Sequence, residues 1–288
     1  MKTPYRLTVA IVCLLACATT SVVAQDADPA QPASDPPKSS GASTYGADRL
    51  FLQFERDAAI IPHQWWEGQI VFTGSENIDA TVAQLVFALA PAKKVEVGGR
   101  IGFGTTNTAG DLPDGSGATD LEAWGKWAGT MGASGKTEFA FGGILTVPTG
   151  DDTAGLGTDS WNVAAYGAFR HPLKFAILTW NIGFRANDDG AVVGIPIRGK
   201  NSFFLGGGFL WPISDQFTFV GELVYESDRF EPVPGQIRPL EVYDDDARLL
   251  GGVNWRPFNT GMFRGAIAGG LTDGAPDWQL YLTYAYNF

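Results

Sequence analysis

Thiols and imidazoles are almost missing from this chain of 288 residues, which holds 2 cysteines and 2 histidines. Cys13 and Cys17 both fall in the first 24 residues. If that segment is removed, the remainder has neither a disulfide nor a cysteine-based metal site. His63 precedes the first strand-like segment, and His171 stands beside Pro172. Neither is followed two positions on by the serine that a serine–histidine hydrolase built on one strand needs. Glycine pairs such as Gly102-Phe103-Gly104 sit inside alternating segments, where glycine serves close packing rather than phosphate binding. Acidic loop pairs (Asp111 and Asp114, Asp151 and Asp152, Asp188 and Asp189, Asp244 to Asp246) do not follow EF-hand spacing. They read as solvated loop charge, or as contacts to lipopolysaccharide through divalent ions. Catalytic residues, metal ligands and cofactors are therefore not expected, and the chain does not read as an enzyme. Basic residues are few, and the net charge of −11 argues against nucleic acid as a partner. Beyond the N-terminal leader no stretch approaches about 18 consecutive apolar residues, which excludes helical membrane spans.

What is present is alternation. From Trp278 to Phe288 every second residue is large and apolar or aromatic: Trp278, Leu280, Leu282, Tyr284, Tyr286 and Phe288. The intervening set, Gln279, Tyr281, Thr283, Ala285 and Asn287, is smaller and wetter. A strand sends successive side chains to opposite faces, so this segment has one greasy face. An aromatic carboxyl terminus after such a pattern resembles the closing strand of a bacterial outer-membrane barrel, recognised by the barrel-assembly machinery through Phe288.

The N-terminus has the anatomy of a secretory signal peptide over residues 1–24. Lys2 and Arg6 precede an apolar run from Leu7 to Val23, with small residues before Gln25. Leu14-Leu15-Ala16-Cys17 also fits a lipobox, which would make Cys17 a lipidation site. Residues 25–47, rich in Pro, Ala, Ser and Asp, read as a disordered periplasmic tether. Residues 48–64 fit a short helix or a strand at or inside the periplasmic mouth, as a mouth or plug segment.

Residues 65–288 divide into about twelve alternating segments. The spans are 65–73, 80–90, 94–104, 119–129, 136–147, 160–170, 174–186, 201–212, 215–227, 244–255, 260–272 and 277–288. Connections after every second segment are short, whereas 105–118, 148–159, 187–200 and 228–243 are long. Charges keep to one register: Glu138 opposes the set Phe139, Phe141 and Leu145, and Glu222 and Glu226 oppose Phe217, Phe219 and Leu223. An Arg or Lys facing lipid at mid-depth costs about 2–4 kcal/mol, which explains why the register is kept. The outward aromatics gather toward segment ends, Trp66, Trp127, Trp211 and Trp255 toward one edge and Phe103, Trp161, Phe184 and Trp278 toward the other. The expected fold is all-β: a transmembrane, antiparallel, up-and-down β-barrel with both termini periplasmic.

Inside such a barrel the lumen-lining candidates are Glu96, Arg100, Glu122, Lys126, Glu222, Arg248 and Arg264. Arg100 with Glu122, and Glu222 with Arg248, lie on neighbouring segments and are expected to pair across the interior. The alternative role is to line a solute path. Inward Trp124, Tyr166, Phe175, Ile177, Phe204, Leu210, Val220 and Leu250 make parts of the interior apolar. That suits a hydrophobic solute, and it also suits a filled, closed lumen.

The run Leu145-Thr146-Val147-Pro148-Thr149-Gly150-Asp151-Asp152, followed by Gly155-Leu156-Gly157-Thr158-Asp159, resembles a stretch in a family of Gram-negative outer-membrane proteins. These are labelled transporters or linked to the meta-pathway of phenol degradation. The likeness extends over residues 48–288 and includes Ala59-Ile60-Ile61-Pro62. It implies a barrel and passage of small aromatic or hydrophobic compounds, and carries over no catalytic or ligand residue. The expected function is an outer-membrane channel for small solutes, in contact with membrane lipids and lipopolysaccharide. The alternative is a structural or surface-interaction barrel with a closed lumen.

Overall fold

A computed structural model describes residues 49–50, 56–61, 64–76, 78–108, 114–132, 136–235, 241–258 and 261–287. The expectations for the signal peptide, Cys17, the tether, His63 and Phe288 fall outside the described residues. Among them, no helix is long and apolar enough to cross a membrane.

Sixteen strands are described. They are β1 Trp65–Gly74, β2 Ile78–Ala92, β3 Val95–Thr108, β4 Gly115–Ala118, β5 Leu121–Met131, β6 Thr137–Val147, β7 Asn162–Pro172 and β8 Ile177–Asn187. They continue with β9 Gly190–Val192, β10 Ile195–Gly199, β11 Ser202–Pro212, β12 Phe217–Glu226, β13 Phe230–Pro232, β14 Asp246–Trp255, β15 Gly261–Gly270 and β16 Trp278–Asn287. Twelve of them close into one antiparallel ring in the order β1-β2-β3-β5-β6-β7-β8-β11-β12-β14-β15-β16, with β16 paired back onto β1. Closure leaves the ring no free edge. Each expected span overlaps one of these twelve.

The differences from expectation have local causes. β2 runs on through Pro91 to Ala92 with a register shift between Leu89 and Ala92. Pro91 has no amide to donate, so the ladder is carried past it by a bulge. β8 begins at Ile177, three residues late, because Leu173 donates its amide to the Ala176 carbonyl and closes a turn. Phe175 therefore sits on that turn and is exposed, not inward. The long connections hold short strands of their own. β4 extends the β3 edge, and β9, β10 and β13 form a separate small sheet. The β9–β10 hairpin turns at Val193 and Gly194, both at positive φ (51° and 69°). A β-branched residue disfavours that region, so Gly194 is the one turn signal the sequence carries there. Val193 is held by burial with Val192, Ile197, Phe230 and Tyr243.

The outer wall is apolar. Phe103, Phe184 and Ile267 are at least 60 % exposed, and Leu85, Ile101, Val163, Ile182, Leu205 and Leu282 alternate with buried neighbours. A continuous exposed apolar surface of this extent matches hydrocarbon rather than water. At the short-turn end the aromatics touch from strand to strand. Phe217 and Trp255 stand 6.3 Å apart, Trp255 and Phe263 5.7 Å, Phe263 and Tyr284 4.9 Å, and Tyr284 and Trp66 5.8 Å. This row crosses β12, β14, β15, β16 and β1.

Candidate functional site: the barrel lumen

Two inward rungs organise the lumen. Following paired residues across seven strands gives Glu96, Lys126, Gly142, Tyr166, Gly183, Phe204 and Glu226. The rung starts near the first residue of β3, at the short-turn end, and reaches the last residue of β12, at the long-loop end. Its two glycines make room for its two rings. A Cβ on Gly142 would meet the Tyr166 ring at 2.5 Å, and one on Gly183 would meet the Phe204 ring at 2.2 Å. The second rung runs Trp65, Ala88, Gly98, Trp124, Ile144, Ala164, Arg185 and Ser202.

The segment before β1 lies against these rungs. Arg49 is fully buried and bonds Glu96 at 2.6 Å. Lys126 reaches the same carboxylate at 3.3 Å and donates to the Asp57 and Ala59 carbonyls at 2.8 and 2.7 Å. Asp57 accepts from Arg170 of β7 at 2.7 Å. Arg56 lies 3.6 Å over the Phe204 ring, and Ala58 and Ile61 pack among Trp65, Trp124 and Ile144. Sequence reading takes residues 48–64 as a mouth or plug segment; of these, Arg49 and Asp57 are buried in ion pairs with the barrel strands, and Ala58 and Ile61 pack on inward-facing rings. The segment's signal was the charge in a stretch otherwise rich in apolar residues, Arg49 and Asp57 among it, which meets the inward Glu96 and Lys126.

The seven sequence candidates all lie on barrel strands, but their surroundings differ. Glu96, Lys126, Glu222 and Arg264 are buried. Arg264 pairs with Glu67 across the interior, and Arg100 pairs with Glu122 as its neighbouring position required. Glu222 and Arg248 do not face each other: Glu222 lies opposite Leu250, and Arg248 opposite Val224. Arg248 instead forks onto Asp246 at 2.8 and 2.6 Å and donates to Gln279 at 2.8 Å. Arg100, Glu122 and Arg248 keep part of their side chains accessible. A separate face of the interior is apolar and comprises Val71, Leu210, Val220, Leu250, Ala266 and Ala268, with the Tyr281 ring.

The long-loop end is built from packed loops. Asp120 accepts the Gly150 and Thr158 amides at 2.9 Å each, which fixes the Pro148-to-Asp159 loop. Thr106 donates to the Ala154 carbonyl at 2.6 Å and ties the same loop to β3. The Thr153 hydroxyl and the Ala154 amide hold the Asp151 carboxyl below its usual range. Lys200, paired with Asp228, is raised. Asp228, Asp244, Asp245 and Asp273 line an open pocket of about 470 Å³. Asp228 is engaged by Lys200, and Asp245 by the Tyr225 hydroxyl and the Asp228 amide.

No protein-family profile matches the chain, and no curated protein matches it in sequence. Solved structures do match in fold. An outer membrane channel from Pseudomonas putida F1 superposes with a TM-score of 0.67 at 15 % identity, covering 81 % of this chain and 98 % of that one. The NanC porin gives 0.54 at 9 % identity over 77 % of this chain and all of that one. The KdgM porin, in complex with disordered oligogalacturonate, gives 0.52 at 9 % identity over 78 % and 99 %. The chain thus has the fold of outer-membrane β-barrels. At these identities the likeness is one of fold.

Proposed function

We propose that this protein is an outer-membrane channel for small solutes, hydrophobic or aromatic ones in particular. The observation that carries the reading is the apolar lumen face from Val71 to Ala268, inside a barrel whose outer wall is also apolar. Such a barrel offers a greasy solute an interior surface to travel along, while inward charges fix its shape. In this reading residues 1–24 direct export, both termini face the periplasm, and the assembly machinery reads Phe288. The outer wall meets lipid and the loops meet lipopolysaccharide. Residues 49–50 and 56–61 act as part of a plug whose docking sets how wide the path is. The resemblance in the Pro148–Asp159 loop supports a place beside the meta-pathway of phenol degradation.

The docked segment also favours a second reading, a barrel closed for good. Planar-bilayer conductance and uptake of labelled toluene by cells separate the two. Glu96→Ala leaves Arg49 and Lys126 buried without their shared carboxylate, a loss of about 3–5 kcal/mol by analogy with other buried pairs. The expected result is a conductance step larger than that of the parent protein. If parent and variant both carry no current, and deleting the gene leaves toluene uptake unchanged, the channel reading is rejected.

A further inference from the structure

Lysines gather on one arc of the short-turn rim. The pairing of β3 with β5 and of β6 with β7 makes the turns β2–β3, β5–β6 and β7–β8 consecutive around the ring. These turns hold Lys93 and Lys94, then Lys136, then Lys174, and no carboxylate. All four lysines are exposed. In a chain of 20 basic and 31 acidic residues, composition does not produce such a bias. The acids on the adjoining strand ends are turned to other partners. Glu96 bonds Arg49 and Lys126 in the lumen, and Glu138 lies 3.7 Å from Arg170. Asp215 stands on the next turn of the ring, between β11 and β12, and the long connections at the other end are net acidic.

The wall below the arc is aromatic and faces outward. The Ala128 amide donates to the Lys94 carbonyl at 2.8 Å and fixes its backbone, and the Lys94 ammonium stands 5.9 Å from the centre of the exposed Trp127 ring. Trp127 continues to Phe139 at 5.5 Å, and Phe139 to Phe141 at 5.8 Å. Leu173 and Phe175 flank Lys174 and are exposed on their turn, so the apolar surface runs on from the wall into the rim. A lysine whose ammonium stands by an interfacial aromatic ring keeps its stem along hydrocarbon and its charge at headgroup depth. An anionic phospholipid meets both demands at once, with acyl chain and glycerol against the rings and phosphate against the ammonium groups. We propose that the arc from Lys93 to Lys174 is a docking surface for anionic phospholipid headgroups in the leaflet that borders the short turns. It goes beyond the channel reading and holds whether or not the lumen conducts. A lysine at an anionic membrane surface strengthens binding about fivefold.

Native mass spectrometry of the full-length protein, released from non-ionic micelles with added probe, tests this. The probes are phosphatidylglycerol, phosphatidylethanolamine with the same acyl chains, and polyglutamate in the place of an acidic protein. Phosphatidylglycerol is expected to bind at least tenfold more tightly than phosphatidylethanolamine. Lys94→Gln is expected to weaken phosphatidylglycerol about fivefold. Gln at all four lysines is expected to abolish the preference and leave phosphatidylethanolamine unchanged, whereas Arg at all four keeps it. Arg198→Gln, which removes an exposed cation from β10 at the opposite end, is expected to change nothing. Heat-modified gel migration reports whether each barrel is folded, and if the fourfold Gln variant is not, Lys94→Gln decides. Equal affinity for the two lipids, unchanged phosphatidylglycerol affinity in the folded variants, or an equal loss from Arg198→Gln each overturns the docking surface. Polyglutamate bound more tightly than phosphatidylglycerol, and lost with the lysines, assigns the arc to an acidic protein and overturns it as well.

Discussion

An added methyl at Gly183 meets the Phe204 ring at 2.2 Å and the Ala165 carbonyl oxygen at 2.6 Å. The ring is fully buried, and the carbonyl belongs to the neighbouring strand, so neither yields easily. Overpacking of this kind costs about 1–3 kcal/mol. Gly183→Ala is expected to lower the unfolding free energy of the refolded barrel by that amount, read as a fall in its urea midpoint. Gly265→Ala, where a Cβ meets nothing within 4 Å, is expected to leave it unchanged. The sequence signals a glycine's permissiveness but not which ring it accommodates. Gly142 and Gly183 acquire meaning only once the ladder places them opposite Tyr166 and beside Phe204.

The strands were legible because each one reports its two faces by alternation, and charge is penalised on one of them. Loop strands such as β9 and β10 are too short to alternate, and their turn uses Val193 where Asn or Gly is the usual signal. The same limit explains the lumen. Parity identifies Glu96 and Lys126 as inward, but their partner Arg49 lies 47 residues before Glu96, in a segment without periodicity. At this scale Val193→Ala is the informative change. It keeps the left-handed backbone and removes buried contacts with Phe230 and Tyr243. Faster amide exchange is expected at Ala191, which donates to the Thr158 carbonyl, with the barrel midpoint unaltered. If the midpoint falls with it, the cap and the barrel are one cooperative unit.

For the whole molecule the decisive property is that wet and greasy surfaces are inverted at the wall. Leu282 lies midway along β16 and is 47 % exposed, flanked by buried Tyr281 and Thr283. Leu282→Arg is expected to cost about 2–4 kcal/mol in vesicles and to reduce insertion. Thr283→Val removes the acceptor of the Gln69 bond inside and is expected to cost about 1 kcal/mol. Equal losses at the two positions argue against lipid on the outside.

The docked segment bears on the order of assembly. Its described partners Glu96, Lys126, Arg170 and Phe204 belong to β3, β5, β7 and β11. A growing wall can curl around residues 49–50 and 56–61 before β16 returns to β1, with the occupant as the mandrel on which the cylinder is wound.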